Sequence, residues 1–375
     1  MKLLICAGGT GGGVYPALAV HHALQHEHKN VQTTWVGGEG GMEADLVKRE
    51  GIPFEAVPAA GIHGVGIQSL PRNIARLSRG FFASRRILRQ QHPDVLFFTG
   101  GYVAVPMALA ACLPGLGFPR PRSVLYIPDI EPGLALKALI RFADQVAVTV
   151  ETSKSYLPSG KPVTVTGYPL RAGLRPQSIP DARRALGLSD PALPVLLVWG
   201  GSKGARSINR ALLAGLATLL PEMEIVHISG PVDWPEVEAA QAALPGEIAA
   251  RYHPYPYLHD IGAAFSVADL AVSRAGASSL GEYPQFALPA VLVPYPYAWR
   301  YQRLNAGYLA ERGAAVMMEN DALADGLLPL VRGLMRDAAR RTAMRQAMRS
   351  LHRPNAAQSI AALVYRTGDS SACCI

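Results

Sequence analysis

The sequence predicts an α/β fold of two doubly wound domains, each built around a parallel sheet. Apolar runs of strand length alternate with segments of helical periodicity along the 375 residues. At the start of the chain an apolar run, a glycine-rich loop and a helix follow one another, with the loop at residues 8–13. The same succession returns with a loop at residues 200–204, so the chain divides into two similar halves.

The first half begins with a buried strand at residues 2–7. A helix is predicted from Val14 onward, with Pro16 near its first turn, where a missing N–H is harmless. A short helix is expected from Glu43, and a basic amphipathic helix over residues 74–91. Further strands are predicted at 31–36, 53–57, 94–98, 124–126, 145–148 and 163–166. Ligands of doubly wound sheets bind beyond the carboxyl ends of the strands, where the loops at 8–13 and 100–101 are expected.

The second half begins after residues 168–193, whose prolines, arginines and weak helix at 181–186 predict a linker. Strands are predicted at 195–199, 225–228, 268–272 and 290–293, and helices at 205–219, 277–287, 301–312, 323–336 and 355–366. The predicted domains are therefore 1–167 and 194–351, with residues 352–375 packing back on the first domain.

Composition narrows the class of protein. Apolar residues make up 49% of the chain and charged residues 17%, which excludes global disorder. No apolar run reaches transmembrane length, and Met1 leads straight into a strand without a signal peptide. The net charge of +8 favours anionic ligands, namely nucleotide sugars, phospholipid surfaces or nucleic acid. We expect no nucleic-acid partner, because the chain lacks a lysine-rich run and a basic–aromatic motif.

The four cysteines have neither zinc spacing nor the density of a disulfide framework. Cys6 and Cys112 lie in apolar segments and are expected to be buried thiols. Cys373 and Cys374 form either a frayed end or a lipidation site. Cysteine usage therefore favours a reducing cytoplasm.

The opening loop has the form of an anion site. A bare glycine backbone lets an anion approach, and the free N–H groups and dipole of the following helix attract it. The G-x-G-x-x-G spacing of dinucleotide sites fails at Val14, and no Gly-Lys-Ser/Thr closes a phosphate loop of the Walker type. The alternative is a tight turn that binds nothing, although five glycines exceed what a turn needs.

Seven short segments, collinear over roughly residues 1–315, resemble glycosyltransferase family 28. They lie at 7–12, 41–47, 100–103, 167–171, 200–206, 273–282 and 302–306. The resemblance implies the GT-B architecture, in which two doubly wound Rossmann-like domains face each other across a cleft. It also implies inverting, metal-independent transfer of N-acetylglucosamine from UDP-GlcNAc to undecaprenyl-diphosphate-muramoyl-pentapeptide in peptidoglycan synthesis, with no cofactor. Such an enzyme is peripheral at the cytoplasmic face of the plasma membrane, with other cell-wall enzymes as further candidate partners.

The resemblance also implies which residues bind the donor. They are Thr10, Gly11, Gly12, Arg171, Ser202, Leu258, Ala277, Ser278, Ser279, Glu282 and Gln302. The N–H groups at 201–204 suit the diphosphate, and Lys203 or Arg206 either adds charge there or is simply solvated. The Glu282 carboxylate can accept both ribose hydroxyls, the alternative being an exposed helix charge. Leu258 corresponds to a uracil contact, Gln302 to a sugar contact, and Arg171 to a diphosphate contact at the interdomain joint.

The acceptor carries its own diphosphate, which suits the glycine loops of the first domain. The residues predicted to bind it are Gly9, Thr10, Gly13, Gly100, Gly101 and Tyr102. Residues 62–89 mix apolar and arginine side chains, as a helix on an anionic membrane does. The predicted membrane residues are Ile74, Leu77, Phe81, Phe82, Arg72, Arg76 and Arg79. The alternative is an ordinary surface helix that packs on the sheet.

Catalysis needs a base for the attacking hydroxyl and cationic or N–H groups for departing UDP. This chain differs from the family at the acceptor side, where Gly13 replaces the usual histidine. Tyr126 and Ile127 likewise stand in place of the usual His-Glu. Asp129 and Glu131 are the nearby carboxylates predicted as catalytic.

Other candidate catalytic or metal groups are weaker. Glu43 and Asp45 are expected only to cap a helix. The histidines at 21, 22, 26 and 28 are expected to form a solvated helix end rather than a metal site.

Three functions remain open at this point. The first is the lipid-linked muramoyl-pentapeptide transferase. The second is a family-28 enzyme with another lipid acceptor, because the donor segments are kept while the acceptor segments differ. The third is a UDP-sugar-binding protein without catalysis that serves as a scaffold.

Overall fold

The computed structural model describes residues 1–9, 11–59, 70–115, 117–171, 173–201, 204–297 and 300–369, with the backbone alone at 70–72 and 74. The chain forms two compact units. The first contains the chain before Gly173 and from Asn355 onward, and the second contains Gly173–Pro354.

In the described part of the first unit, seven parallel strands form one sheet in the order β3-β2-β1-β4-β5-β6-β7. Parallel strands require crossovers, and helices supply them. The strands are β1 (Lys2–Ala7), β2 (Gln32–Gly38), β3 (Phe54–Val57), β4 (Val95–Gly100), β5 (Arg122–Ile127), β6 (Gln145–Val148) and β7 (Val163–Val165). The helices are α1 (Gly11–Glu27), α2 (Glu43–Arg49), α3 (Leu70–Gln91), α4 (Ala104–Cys112) and α5 (Leu134–Ile140), with a 3-10 turn at Glu151–Tyr156.

Both faces of this sheet are buried, which explains why its strands are continuous apolar runs. Successive residues of β1 point to opposite faces. Leu4 and Cys6 pack on the side of α3 and α4, whereas Leu3 and Ile5 pack on the side of α1.

In the described part of the second unit, six parallel strands form a sheet in the order β10-β9-β8-β11-β12-β13. The strands are β8 (Val195–Trp199), β9 (Glu224–Ile228), β10 (Tyr252–Tyr255), β11 (Leu270–Ser273), β12 (Ala290–Leu292) and β13 (Ala315–Met317). The helices are α6 (Ile179–Leu186), α7 (Arg206–Ala214), α8 (Leu216–Leu219), α9 (Trp234–Ala242), α10 (Gly246–Ala249), α11 (Ile261–Val267), α12 (Ser279–Phe286), α13 (Tyr301–Ala310), α14 (Leu323–Arg336) and α15 (Ala338–Ser350), with a 3-10 turn at Asn320–Ala322.

Residues 173–193, predicted as a linker, pack on the second unit. Ser178 caps α6 by accepting from the Asp181 N–H, and Gly187 ends the helix at φ +69°. Arg183 pairs with the fully buried Glu224 at the start of β9. The Glu224 carboxylate also accepts from the Ser189 N–H at 2.8 Å. This segment is therefore fixed to the sheet by a buried, hydrogen-bonded charge.

The last helix, α16 (Ala356–Gly368), belongs to the first unit. It packs on α1, and its Ile360 and Val364 lie in the same buried cluster as Leu3 and Phe97.

Several details differ from the prediction, and helices α4, α5, α9, α11 and α15 were not predicted. The first helix begins at Gly11 rather than Val14, so Pro16 lies inside it and removes one hydrogen bond to Gly12. Strand β10 was not predicted, because Tyr-His-Pro-Tyr is not an apolar run. Strand β13 was not predicted either. None of the described helices combines the length and the apolar character that crossing a membrane requires.

Candidate functional site

Two glycine loops meet at the carboxyl edge of the first sheet, after the neighbouring strands β1 and β4. A Cβ at Gly101 would lie 2.5 Å from the Gly8 carbonyl oxygen, so only glycine permits this approach. Thr99 Oγ1 donates to the Gly13 carbonyl at 2.8 Å. Gly9 and Gly101 have φ values of +87° and +89°, which favour glycine. The two loops therefore form one structure.

Most of the predicted acceptor-diphosphate residues lie in these loops. Gly9 is exposed, Gly13 and Gly100 are buried, and Tyr102 is half exposed at its ring. Thr10 lies outside the described residues. The strand order reverses between β1 and β4, and such a reversal opens a crevice at the sheet edge.

The predicted bases follow β5, the next strand along the sheet. Glu131 is buried and pairs with Lys137, whose Nζ lies 2.7 Å from Glu131 Oε1. Asp129 is half-buried. The Glu131 charge is thus compensated by Lys137, and Asp129 is the more exposed of the two carboxylates.

Tyr126 occupies a position where the resemblance implies histidine. Its ring is fully buried, and its hydroxyl lies 2.7 Å from Thr149 Oγ1 and 3.3 Å from the Gly167 carbonyl. Burial raises the pKa of Tyr126 well above its ordinary value. The hydroxyl therefore keeps its proton and does not serve as a base.

Arg171 was predicted to bind the donor diphosphate. It is half-buried in the first unit, and its guanidinium carbon lies 5.0 Å from the centroid of the Tyr15 ring. Tyr15 follows Gly11 and Gly12, two other predicted donor residues, in the first turns of α1. A cation–π contact thus holds a positive charge beside the start of this helix.

The second glycine loop follows β8. The Gly204 N–H donates to the Gly201 carbonyl at 3.0 Å. A Cβ at Gly204 would lie 2.3 Å from the carbonyl oxygen of Ser229. Ser202 and Lys203 lie outside the described residues. Arg206 Nε lies 2.8 Å from Asp233 Oδ1, just before α9, and its side chain is 57% exposed.

Glu282 lies in the first turn of α12 and is only 6% exposed, so it is not a solvated helix charge. The next residue, Tyr283, fixes this helix. Its hydroxyl accepts from Trp199 Nε1 at 2.9 Å and bonds to Ser273 Oγ, at the ends of β8 and β11. Burial raises the pKa of Tyr283.

The other predicted donor residues also follow strand ends of the second sheet. Leu258 is half-buried after β10, and Ala277 and Ser278 precede α12. The Ser279 hydroxyl donates to the Gly276 carbonyl at 2.6 Å. Gln302, in α13, accepts at Oε1 from the Tyr295 N–H at 2.8 Å, so its amide N–H₂ faces other partners. These segments follow β10, β11 and β12. Because parallel strands all end at one edge of the sheet, the predicted donor residues lie along that edge.

Arg274 is a site residue that the sequence prediction missed. It follows β11 and donates to Ser207 Oγ at 2.7 Å and to Asn320 Oδ1 at 2.9 Å. It also reaches the Val293 carbonyl, and its guanidinium carbon lies 5.3 Å from the Tyr295 ring centroid. One half-buried arginine therefore ties the start of α7 to the loops after β11 and β12. The signal in the sequence that could have identified Arg274 was a single arginine directly after a buried strand.

A second supporting network lies behind the Gly200 loop. Asn209 Nδ2, on α7, donates to the Ser229 carbonyl and to Asp233 Oδ2, both at 2.9 Å. His227 Nε2 lies 3.0 Å from Asn209 Oδ1, and His227 Nδ1 lies 2.7 Å from the Tyr252 hydroxyl. Burial lowers the pKa of His227 to about 3, so the ring is neutral at pH 7.

The face of α3 is more mixed than predicted. Phe82 is 70% exposed, whereas Phe81 is partly buried and packs against the core of the first unit. Leu77 is half-buried and Arg79 is exposed. Arg76 Nη2 lies 3.9 Å from Glu39 Oε2. The side chains of Arg72 and Ile74 lie outside the described residues.

Arg85 joins α3 to the neighbouring helix. It donates to the carbonyls of Leu113 and Pro114 at 3.1 and 3.0 Å, at the end of α4. Leu109 and Leu113 are exposed on that segment, so further apolar surface lies next to α3.

Across the described ranges, no group of three or more His, Cys, Asp and Glu side chains is arranged to hold a metal ion. His22 Nε2 lies 3.2 Å from Glu50 Oε2, and His28 stacks on Tyr365. Cys6 is buried and Cys112 is half-buried. Cys373 and Cys374 lie outside the described residues.

Family models match both halves of the chain. The glycosyltransferase family 28 N-terminal domain matches residues 3–148, and the glycosyltransferase family 28 C-terminal domain matches residues 195–361. The chain belongs to glycosyltransferase family 28. It is therefore a glycosyltransferase, and its two parallel-sheet units are those of the GT-B fold.

Relatives of this family-28 chain include two proteins that carry the same name, UDP-N-acetylglucosamine–N-acetylmuramyl-(pentapeptide) pyrophosphoryl-undecaprenol N-acetylglucosamine transferase. The protein from Roseiflexus sp. (strain RS-1) is 41% identical, over 97% of this chain and 94% of that protein. The protein from Desulforudis audaxviator is 37% identical, over 98% of each chain.

Solved structures agree with this family. The crystal structure of MurG from Acinetobacter baumannii has a TM-score of 0.76 and 28% identity, covering 97% of this chain and 99% of that one. UDP-GlcNAc 2-epimerase from Neisseria meningitidis, bound to UDP-GlcNAc, has a TM-score of 0.66, covering 98% of this chain and all of that one. At 13% identity the epimerase shows the fold alone.

The buried His227 makes the stability of this family-28 protein sensitive to acid. An unfolded histidine takes up a proton near pH 6.5, whereas His227 does so only near pH 3. The unfolded state therefore binds more protons in this window, and stability falls as the pH drops below 6.5. Urea titrations measure the unfolding free energy at each pH. When the pH falls from 7 to 5, we expect this free energy to decrease by about 2 kcal/mol less in His227→Gln than in the wild type. His259→Gln, at an exposed position, is the control; equal pH slopes for His227→Gln and the wild type would contradict the assignment.

Proposed function

We propose that this glycosyltransferase moves N-acetylglucosamine from UDP-GlcNAc to undecaprenyl-diphosphate-muramoyl-pentapeptide, with inversion at the anomeric carbon. The observation that carries the proposal is the identity of 41% and 37% with relatives of that named activity over nearly the whole chain. The site geometry supports it, because each unit presents a glycine loop and a helix start at one sheet edge, as two diphosphates require.

The second unit is the proposed donor site. The N–H groups at the Gly200 loop, with those of Ala277 and Ser278, bind the UDP diphosphate, and Glu282 accepts the ribose hydroxyls. The backbone at Leu258 contacts uracil. The amide N–H₂ of Gln302 donates to the sugar, because its oxygen already holds the Tyr295 N–H.

The first unit is the proposed acceptor site. The acceptor diphosphate binds where the Gly9 and Gly101 loops meet, with the first-turn N–H groups of α1 directed at it. Gly11 and Gly12, which the resemblance implied for the donor, are therefore proposed here for the acceptor. Arg171, held over Tyr15, adds a positive charge on this side.

The proposed reaction is a single displacement. The acceptor sugar hydroxyl attacks C1 of N-acetylglucosamine while the bond from C1 to the diphosphate oxygen breaks. Asp129 takes the hydroxyl proton, because it is more exposed than the buried Glu131 and Tyr126 keeps its own proton. Negative charge grows on the leaving UDP, and the N–H groups of the second loop stabilise it.

We also propose that the first unit rests on the anionic cytoplasmic surface of the membrane. A lipid-linked acceptor must be reached there, and Phe82 stands exposed on α3 beside Arg79 and Arg86. Leu109 and Leu113 lie on the adjoining segment. Apolar side chains among cations suit a peripheral contact. Other cell-wall enzymes are candidate partners on the same membrane.

A second candidate acceptor is another membrane lipid diphosphate. The observation that favours it is the position of Tyr126, which is buried where the family usually has a histidine. The acceptor side of this chain therefore differs in chemistry, whereas the donor segments match.

The experiment is UDP release from UDP-GlcNAc with a lipid-linked muramoyl-pentapeptide analogue and a panel of other prenyl-diphosphate acceptors. We expect turnover with the first, and we expect Asp129→Asn to lower kcat by roughly 10²- to 10⁴-fold, because the amide cannot take the proton.

Asp45→Asn, at an exposed carboxylate of the same unit, is the matched control and should be fully active. Intact UDP binding without turnover on any acceptor would favour a non-catalytic protein. Full activity of Asp129→Asn would remove Asp129 from the mechanism.

The membrane contact is tested with vesicles containing anionic phospholipid. We expect Phe82→Ser to raise the Kd for vesicles roughly 30-fold, because burying a phenylalanine in an apolar phase contributes about 2 kcal/mol. Tyr257→Ser removes an exposed ring of the second unit and should have no effect. Equal binding of Phe82→Ser and wild type would place the contact elsewhere.

A further inference from the structure

Glu43 is the first residue of α2, and its side chain is fully buried. Its Oε1 accepts from the Gly38 N–H at 2.7 Å, and its Oε2 accepts from the Gly9 N–H at 3.2 Å. One carboxylate therefore joins the end of β2 to the loop that follows β1.

Glycines from two further positions make room for this carboxylate. A Cβ at Gly8 would lie 2.3 Å from Glu43 Oε1, and a Cβ at Gly41 would lie 2.4 Å from the same oxygen. Real Cβ atoms do not approach so closely, so neither position accepts a side chain while Glu43 lies in place. At Gly38, by contrast, a Cβ would lie 3.5 Å from Oε1, an ordinary contact.

The charge of Glu43 is held by backbone groups. Hydrogen bonds from N–H groups to a carboxylate are roughly twice as strong as neutral ones, and a first-turn position of a helix favours negative charge. The carboxylate has no exposed surface for a substrate, so we do not count it among the catalytic residues.

The contact lies where the acceptor loop takes its shape. Gly9 leaves β1 at φ +87°, and Gly8 is the residue on which Gly101 packs. Fixing Gly8 and Gly9 therefore fixes both the meeting of the two glycine loops and the direction in which α1 begins. Without the carboxylate the Gly9 N–H loses its buried acceptor and the loop is free to shift.

We infer that Glu43 is a positioning residue that holds the glycine loop of the first unit in the shape that binds the acceptor diphosphate. The inference rests on the proposed function, since it takes that loop as the acceptor side. It assigns to Glu43 an effect on acceptor affinity that is separate from donor affinity, because the proposed donor groups at 258–302 lie on the other unit.

The test compares Glu43→Gln with the wild-type full chain. The probes are farnesyl diphosphate, whose binding needs no turnover, and UDP. We expect the affinity for farnesyl diphosphate to fall about tenfold, because one charge-assisted hydrogen bond is lost and the new N–H₂ faces a backbone N–H. The affinity for UDP should stay within about twofold. In the transfer assay the KM for the acceptor should rise about tenfold, with kcat and the UDP-GlcNAc KM unchanged within about twofold.

Asp45→Asn is the matched control on the same helix and should leave both affinities unchanged. If Glu43→Gln does not fold, the inference is tested by comparing Gly8→Ala with Gly38→Ala. The first substitution displaces the Glu43 carboxylate and the second does not. Gly8→Ala should reproduce the tenfold loss, and Gly38→Ala should bind as the wild type does.

The inference is overturned if wild type does not bind farnesyl diphosphate, if Glu43→Gln binds it equally well, or if both affinities fall together. Equal binding by Gly8→Ala and Gly38→Ala overturns it as well. Binding of farnesyl diphosphate by a wild type that shows no turnover contradicts the proposed function alone, and the comparison of variants still decides the role of Glu43.

Discussion

Parallel pairing forces every strand of both sheets to end at the same edge, and the position of the site depends on this constraint. In each sheet the strand order reverses beside the first strand, between β1 and β4 and between β8 and β11. The loops after these strands lead away in opposite directions, so backbone N–H groups are exposed there without a competing chain. Each half of the protein thus repeats one arrangement of strand, loop and helix, which we propose to bind a diphosphate.

Glycine loops alone do not keep a defined shape, because glycine has many accessible conformations. In this protein buried polar side chains supply the missing restraint. Glu43 joins the first loop to the end of β2 through the N–H groups of Gly9 and Gly38. Tyr283 holds α12 through Trp199 and Ser273. Arg274 joins the loops after β11 and β12 to α7. These groups touch backbone and side chains of the protein, so their role is to set the geometry of the residues that meet substrate.

The alternation of apolar runs with helical segments predicted the order of most strands and helices, because buried parallel strands leave a strong local signal. The sequence prediction missed strand β10 because its residues His253 and Pro254 are not typical of a strand. Pairing with the neighbouring strand of the sheet overrides that local preference. The role of Glu43 escaped for a different reason. It depends on a contact with Gly9, 34 residues away, which no local pattern reveals. The ion pair between Glu131 and Lys137 was missed for the same reason, since only the fold brings Lys137 to this carboxylate.

The most direct test of the account is a crystal structure of the full chain with UDP. The account predicts that the diphosphate lies on the loop after β8 and the start of α12, with the ribose hydroxyls against Glu282. It also predicts that the loop after β1 keeps its contact with Glu43 and holds no part of the nucleotide base or ribose. A UDP molecule bound at the start of α1, with the loop after β8 vacant, would contradict the assignment of donor and acceptor to the two units.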